Sequence, residues 1–190
     1  MHIPLFPLNS IILPGGRIPL QLFEPRYIDM LTRCLKDDGG FVIVLLREGE
    51  ETDTLARFYD FGTRVRIVDF QQLENGLLGI TVEGDAKVAV LDHWQAPDGL
   101  HMGQVELLEE ESDLAVPDDQ AELAVVLKAL LRHPVVRDLG MTVDFDSARE
   151  VGWRLAELLP IDKTDKQRLL EMQDPLDRLD RLYSLLQAME

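Results

Sequence analysis

The side chains able to do covalent chemistry are few, and none stands in a pattern that would activate it. Hydrolysis by a serine needs a base within hydrogen-bond reach and a turn that exposes the hydroxyl. Ser10, Ser112, Ser147 and Ser184 lie in no Gly-x-Ser-x-Gly turn, and Ser147 and Ser184 read as a helix cap and a helix surface. A Ser-Lys dyad needs a lysine amine desolvated beside the serine, whereas Lys36, Lys87, Lys128, Lys163 and Lys166 all stand in polar sequence surroundings. His2, His93, His101 and His133 offer no His-x-x-x-His pair for zinc, and His93 and His101 flank a polar turn, Ala96-Pro97-Asp98-Gly99, that would leave them exposed. Cys34 is the sole cysteine, which excludes an intrachain disulfide or a thiolate cluster within one chain. It falls on the apolar face of an expected helix, as a buried, inert thiol. Gly15-Gly16 runs into Arg17, so there is no Gly-x-x-x-x-Gly-Lys-Ser/Thr phosphate loop. The reading is therefore no enzyme, no metal and no cofactor.

Charge narrows the partners. The 190 residues carry a net charge of −16, spread over both halves: residues 1–108 hold 9 basic and 16 acidic side chains, residues 109–190 hold 10 and 19. No cluster of three Lys/Arg interrupts this, so a phosphate backbone would be repelled and nucleic acid is not an expected partner. No apolar run reaches the roughly eighteen residues of a membrane span. The opening Met1-His2-Ile3-Pro4 lacks the basic and apolar regions of a signal peptide. The expectation is a cytoplasmic protein, and 46% hydrophobic residues suffice for a core.

The elements that would hold any site begin with short apolar pieces broken by Pro4, Pro7, Pro14 and Pro19. Proline is excluded from two-sided ladder positions, so these pieces suit edge strands or corners of a small barrel. Pro25 opens the first helix, with Tyr27/Ile28, Leu31 and Cys34/Leu35 at helical spacing, stopped by Asp37-Asp38-Gly39-Gly40. Phe41–Leu46 reads as a strand buried on both faces. Glu48–Asp53 reads as a solvated charged loop. Thr63, Val65 and Ile67 alternate with wetter neighbours, Asn75-Gly76 signals a hairpin, Leu78–Val82 is its return, Gly84-Asp85 turns into Lys87–Leu91, and Gln104–Leu108 is the last strand. The acidic run Glu109–Asp113 reads as a solvated linker. Beyond it lie four amphipathic helices: one around Leu123–Leu131, one capped by Ser147 with Glu150, one capped by Thr164 with Gln167, and one capped by Asp174 before Pro175. The expected architecture is α+β: a small β-barrel with one inserted helix over residues 1–110, then a helical bundle over residues 111–190. The final helix could pack within the bundle or pair with a second copy as a homodimer.

Landmarks at both ends carry a resemblance. Leu5-Phe6-Pro7-Leu8-Asn9, Leu13-Pro14-Gly15-Gly16 and Phe23-Glu24-Pro25-Arg26-Tyr27 resemble the opening of the Lon protease N-terminal, or LON substrate-binding, domain family. Gly76–Gly84 is similar to that family's central hairpin, and Leu155–Pro160, Lys166–Glu171 and Asp174-Pro175 with Arg178-Leu179 to its helical half. The resemblance implies a PUA-like barrel, in a stand-alone form without the ATPase and peptidase modules of a full Lon. It also implies a non-catalytic module that binds unfolded or exposed apolar polypeptide segments, or a specific protein partner. An extended peptide could add to a sheet edge or place side chains in an apolar groove. Phe6, Leu8, Phe23, Glu24, Arg26 and Tyr27 are the candidate peptide-binding residues, and an acidic rim would favour basic clients. A peptidase-related enzyme and a PUA-like RNA-binding protein are the alternatives.

Overall fold

Pro4 and Pro7 sit in a strand that has neighbours on both sides, against the expectation of an edge. Strand β1 (His2–Leu8) pairs parallel with β3 (Phe41–Glu48) and antiparallel with β6 (His101–Leu107). The two pairings are staggered: β6 covers His2 to Leu5, β3 covers Leu5 to Leu8, and only Leu5 has both. Met1 and Val105 exchange both main-chain bonds, at 2.9 and 2.8 Å, so odd residues of β1 face β6 and even ones face β3. Pro4 then turns its missing N–H toward β3 before that pairing begins, and Pro7 toward β6 after that pairing has ended. Neither proline removes a ladder bond.

The computed structural model describes residues 1–37, 39–51 and 55–189; Asp38 of the expected helix stop and Thr52 and Asp53 of the expected loop lie outside them. The chain divides into two compact units, Met1–Leu108 and Glu109–Glu190. The first holds one six-stranded mixed sheet, not an even barrel, with β2 (Arg17–Leu22), β4 (Arg57–Gln72) and β5 (Leu78–Gln95) completing the order β2-β5-β4-β3-β1-β6. β5 is long enough to pair with β2 and β4 along its first half and with β6 along its second. The turn expected at Gly84-Asp85 is absent, because β5 runs straight through it. Gly84 is required for another reason: a Cβ there would lie 2.2 Å from the Leu13 carbonyl oxygen. Its backbone clamps the Leu13–Gly16 corner through two 2.9 Å bonds with Gly15 and Gly16. The Asn75-Gly76 turn does form, with Gly76 at φ +80°.

Helix α1 (Pro25–Lys36) starts at its proline and buries Tyr27, Met30, Leu31 and Cys34 against Phe6, Leu8, Phe41, Ile43 and Val82. Cys34 is buried, its thiol donating to Gly40 O at 3.4 Å, and burial pushes its pKa up. Gly40 is small because a Cβ would strike the Val65 carbonyl oxygen.

The second unit is helical: α2 (Ala121–Leu131), the short α3 (Pro134–Arg137), α4 (Ala148–Leu158), α5 (Lys163–Glu171) and α6 (Pro175–Gln187). α4 packs on α2, α5 and α6. Ser147 accepts from Glu150 N at 3.2 Å, as its spacing predicts, but the Glu150 carboxylate takes the Asp144 amide instead of closing the box. Asp174 caps α6 through Leu176 N. Thr164 is not a cap, since α5 already begins at Lys163 after Asp162.

The acidic run corrects the sequence reading most. Glu111 is not solvated: its carboxylate holds Arg178 with two bonds of 2.7 and 2.6 Å and accepts from Trp153 Nε1 at 3.3 Å. The Glu111 and Arg178 side chains are 1% and 0% exposed. Arg178 also donates to the Leu169 and Met172 carbonyls, so each of its three nitrogens has an acceptor.

Candidate functional site

Five of the six residues singled out in the sequence line one cavity of about 300 Å³: Phe6, Leu8, Phe23, Glu24 and Tyr27. Strand periodicity brings Phe6 and Leu8 to the same face of β1. Phe23 and Glu24 lie between β2 and α1, where Pro25 fixes the turn into the helix. Tyr27 follows one turn later, its ring 4.2 Å from that of Phe6. Phe6, Leu8 and Tyr27 are at once cavity wall and core, whereas Phe23 is 58% exposed.

Arg26 is the sixth, and it does not line the cavity. It is 6% exposed, donates from Nε to Glu24 at 2.9 Å and from Nη1 to Gly99 O at 2.8 Å, and stacks 4.7 Å from the centre of the Tyr27 ring. It therefore pins the start of α1 to the turn before β6. Glu24 O receives the Tyr27 and Ile28 amides, so the first turn of α1 is closed by backbone while the Glu24 side chain answers Arg26.

The remaining lining was not foreseen: Pro19, Leu20, Gln21 and Leu22 of β2, and Glu51. The strand residues carried only an ordinary apolar signal. Glu51 stood in a run that reads as solvent-facing, yet its Oε1 accepts the Asn9 amide at 2.8 Å, which fixes the carboxylate on the cavity wall.

Tyr27 is the one chemically unusual member. It is 4% exposed, and its hydroxyl is buried with no hydrogen-bond partner. Burial is the main cause of a phenol pKa pushed up to about 12, opposed by Arg26 and reinforced by the charges of Glu24 and Glu51. Those two carboxylates flank the same cavity, so the unmet hydroxyl lies in their field. Among the described residues the lining includes no serine, cysteine, histidine or lysine. What remains is a mostly apolar socket with carboxylates at its wall and a buried, unpaired phenol in one of its lining residues.

A wider open groove of about 900 Å³ lies elsewhere in the same unit, near Met1, Arg33, Arg64 and Arg66. Its arginines already answer carboxylates: Arg64 binds Asp85, and Arg66 shares Glu83 with Arg17. The histidine and lysine expectations also change here. His101 is buried against Phe58, with ring centroids 5.5 Å apart, and Lys87 is buried in β5. Among the described residues no group of three or more His, Cys, Asp or Glu side chains could hold a metal ion, and no helix is long and apolar enough to cross a membrane.

A mixed α+β chain with an open, side-chain-sized socket has a place where part of a polypeptide could be held. Comparison with known families agrees: residues 2–188 match the model of the ATP-dependent protease La (LON) substrate-binding domain, and the chain belongs to that family. A crystal structure of a Lon N-terminal domain protein from Xanthomonas campestris superposes with a TM-score of 0.79 at 34% identity, covering 97% of this chain and 98% of that one. Lon protease of Anaeromyxobacter dehalogenans is 31% identical over 70% of this chain and 16% of its own length. Lon protease 2 of Herpetosiphon aurantiacus is 27% identical over 98% and 24%. The chain thus spans at most about a quarter of the length of these curated relatives.

Proposed function

We propose that this chain is a non-catalytic substrate-recognition module that binds unfolded or exposed apolar polypeptide segments, using Phe6, Leu8, Phe23, Glu24 and Tyr27 as the socket and Arg26 as the residue that holds the socket's shape. The observation that carries this is the open cavity with an aromatic and aliphatic wall and two carboxylate residues, Glu24 and Glu51, in its lining. Its volume suits one side chain of a client. Membership of a substrate-binding family supports the same reading.

The mode of binding follows from β2. Gly84 donates to Gly16 O, so even residues of β2 face β5 and odd ones face outward. Pro19 then presents no N–H at the middle of the free edge. Strand addition along β2 is blunted, and insertion of a side chain beside β2 is the mode retained. In architectural terms, we read the first unit as a PUA-like barrel closed through the β5–β6 pairing, the second as a helical bundle, and residues 1–110 and 111–190 as the two subdomains. A specific folded partner, or a second copy of the chain, would use surfaces other than this socket.

The test is fluorescence anisotropy of the purified chain against labelled unfolded casein, a folded control and a single-stranded RNA. Saturable binding of casein alone is expected, weakened by Phe23→Ala and abolished by Leu20→Trp, which fills the cavity. Casein binding indifferent to both variants would sink the assignment to this socket. RNA binding that falls steeply with salt would favour the nucleic-acid reading instead.

A further inference from the structure

We propose that the socket selects a cation-tipped side chain, lysine or arginine, whose stem lies along the apolar wall while its head reaches Glu51 and the Tyr27 hydroxyl. This deepens the polypeptide-binding reading and rests on it.

Three features of the socket argue for a cation. The two wall carboxylates are not equivalent. Glu24 is already neutralised by Arg26 at 2.9 Å. Glu51 accepts only the uncharged Asn9 amide, and among the described residues no cation pairs with it. A carboxylate held in place, partly shielded from water and lacking a counter-charge is best matched by an N–H-bearing cation. The Tyr27 hydroxyl is the second feature. It stays a neutral phenol at physiological pH, because burial keeps its ionisation near pH 12, and its oxygen is sealed from solvent, so an incoming N–H reaches it only as the wall in front of it gives way. An all-carbon side chain would leave this oxygen without a partner and Glu51 without a counter-charge, and an acidic one would face Glu51. The third is shape. Leu8, Leu20, Leu22 and Phe6 give a wall suited to three or four methylenes, and exposed Phe23 adds apolar surface for the stem. Long basic side chains combine an apolar stem and a charged head in this way; leucine and phenylalanine do not.

The experiment uses the full chain and an unstructured, fluorescently labelled Gly/Ser host peptide with one guest residue: arginine, its neutral isostere citrulline, leucine or phenylalanine. Arginine should bind about tenfold more tightly than citrulline, the scale of one charge-assisted hydrogen bond, and added salt should narrow that gap. Glu51→Gln should bring the arginine-to-citrulline ratio close to one. Tyr27→Phe should weaken arginine and citrulline together. Leucine or phenylalanine binding as tightly as arginine would overturn the proposal and leave an apolar socket. So would an arginine-to-citrulline ratio untouched by Glu51→Gln, or casein binding that persists while no guest peptide binds. Failure of casein and of every guest alike would instead bring down the polypeptide-binding reading itself.

Discussion

Removing Glu111 should unfold the second unit at far lower denaturant, although the residue stands in a run that looks like a linker. Its carboxylate is bound to Arg178 by two short bonds, takes the Trp153 indole N–H, and is shut off from water. Glu111→Leu leaves the Arg178 guanidinium buried with only the Leu169 and Met172 carbonyls as acceptors. Stranding a charge in this way costs about 3–5 kcal/mol, and for a unit of this size the melting temperature should fall on the order of 15 °C. Arg178→Met should cost a similar amount, because it strands the carboxylate. The double variant Glu111→Leu/Arg178→Met should cost much less than the sum of the two, since neither charge then remains. The assay is urea unfolding followed by Trp153 fluorescence in a Trp94→Phe background, with circular dichroism alongside. Single-variant losses under about 1 kcal/mol, the range of surface pairs, or strictly additive losses in the double variant, would refute the claim that this pair locks the helices.

Two other perturbations follow from the first unit. Burial raises the Glu83 pKa, but hydrogen bonds and charge from Arg66 and Arg17 outweigh it and leave the carboxyl below its ordinary value of 4.5. Its stabilising contribution is therefore complete above that value and lost as pH falls through the lower folded one; urea midpoints should drop more steeply below about pH 4.5 in the native chain than in Glu83→Gln. Tyr27→Phe should leave the unfolding free energy from urea titration unchanged or raise it by about 1 kcal/mol, because it deletes a buried unpaired hydroxyl; a clear loss of stability would show that the hydroxyl has a structural partner.

The elements legible in the sequence are those that short-range physics decides. Pro25 at the start of α1, the doubly buried β3, the Asn75-Gly76 turn and the Ser147 and Asp174 caps all depend on residues within a few positions of one another. The misreadings share the opposite origin. Gly84 looks like a turn, yet its reason is the Leu13 carbonyl, 71 positions earlier in the chain, at a distance only the folded sheet creates. Pro4 and Pro7 look like edge markers, and only the staggered register of two partners shows why they fit between β3 and β6. Glu111 is indistinguishable in the sequence from its neighbours Glu109 and Glu110 until Arg178 packs against it. The same limit applies to the site. Phe6, Leu8, Phe23, Glu24 and Tyr27 could be grouped from one landmark-rich stretch, but Glu51 enters through a loop contact to Asn9 and Arg26 leaves through its bond to Gly99.

Hydrogen-bond satisfaction separates the buried charges that lock the second unit from the unmet phenol beside the first unit's cavity. Arg178 and Glu111 are as buried as any side chain in the second unit, and their partners come from α4, α6 and the carbonyls at the end of α5. Nothing is left over for a ligand, so their burial argues for structure alone. Tyr27 is nearly as buried, but its hydroxyl meets nothing. An unpaired buried hydroxyl costs about 1–3 kcal/mol that phenylalanine at the same place would avoid. A client whose N–H reached that oxygen would recover on binding what the fold forgoes.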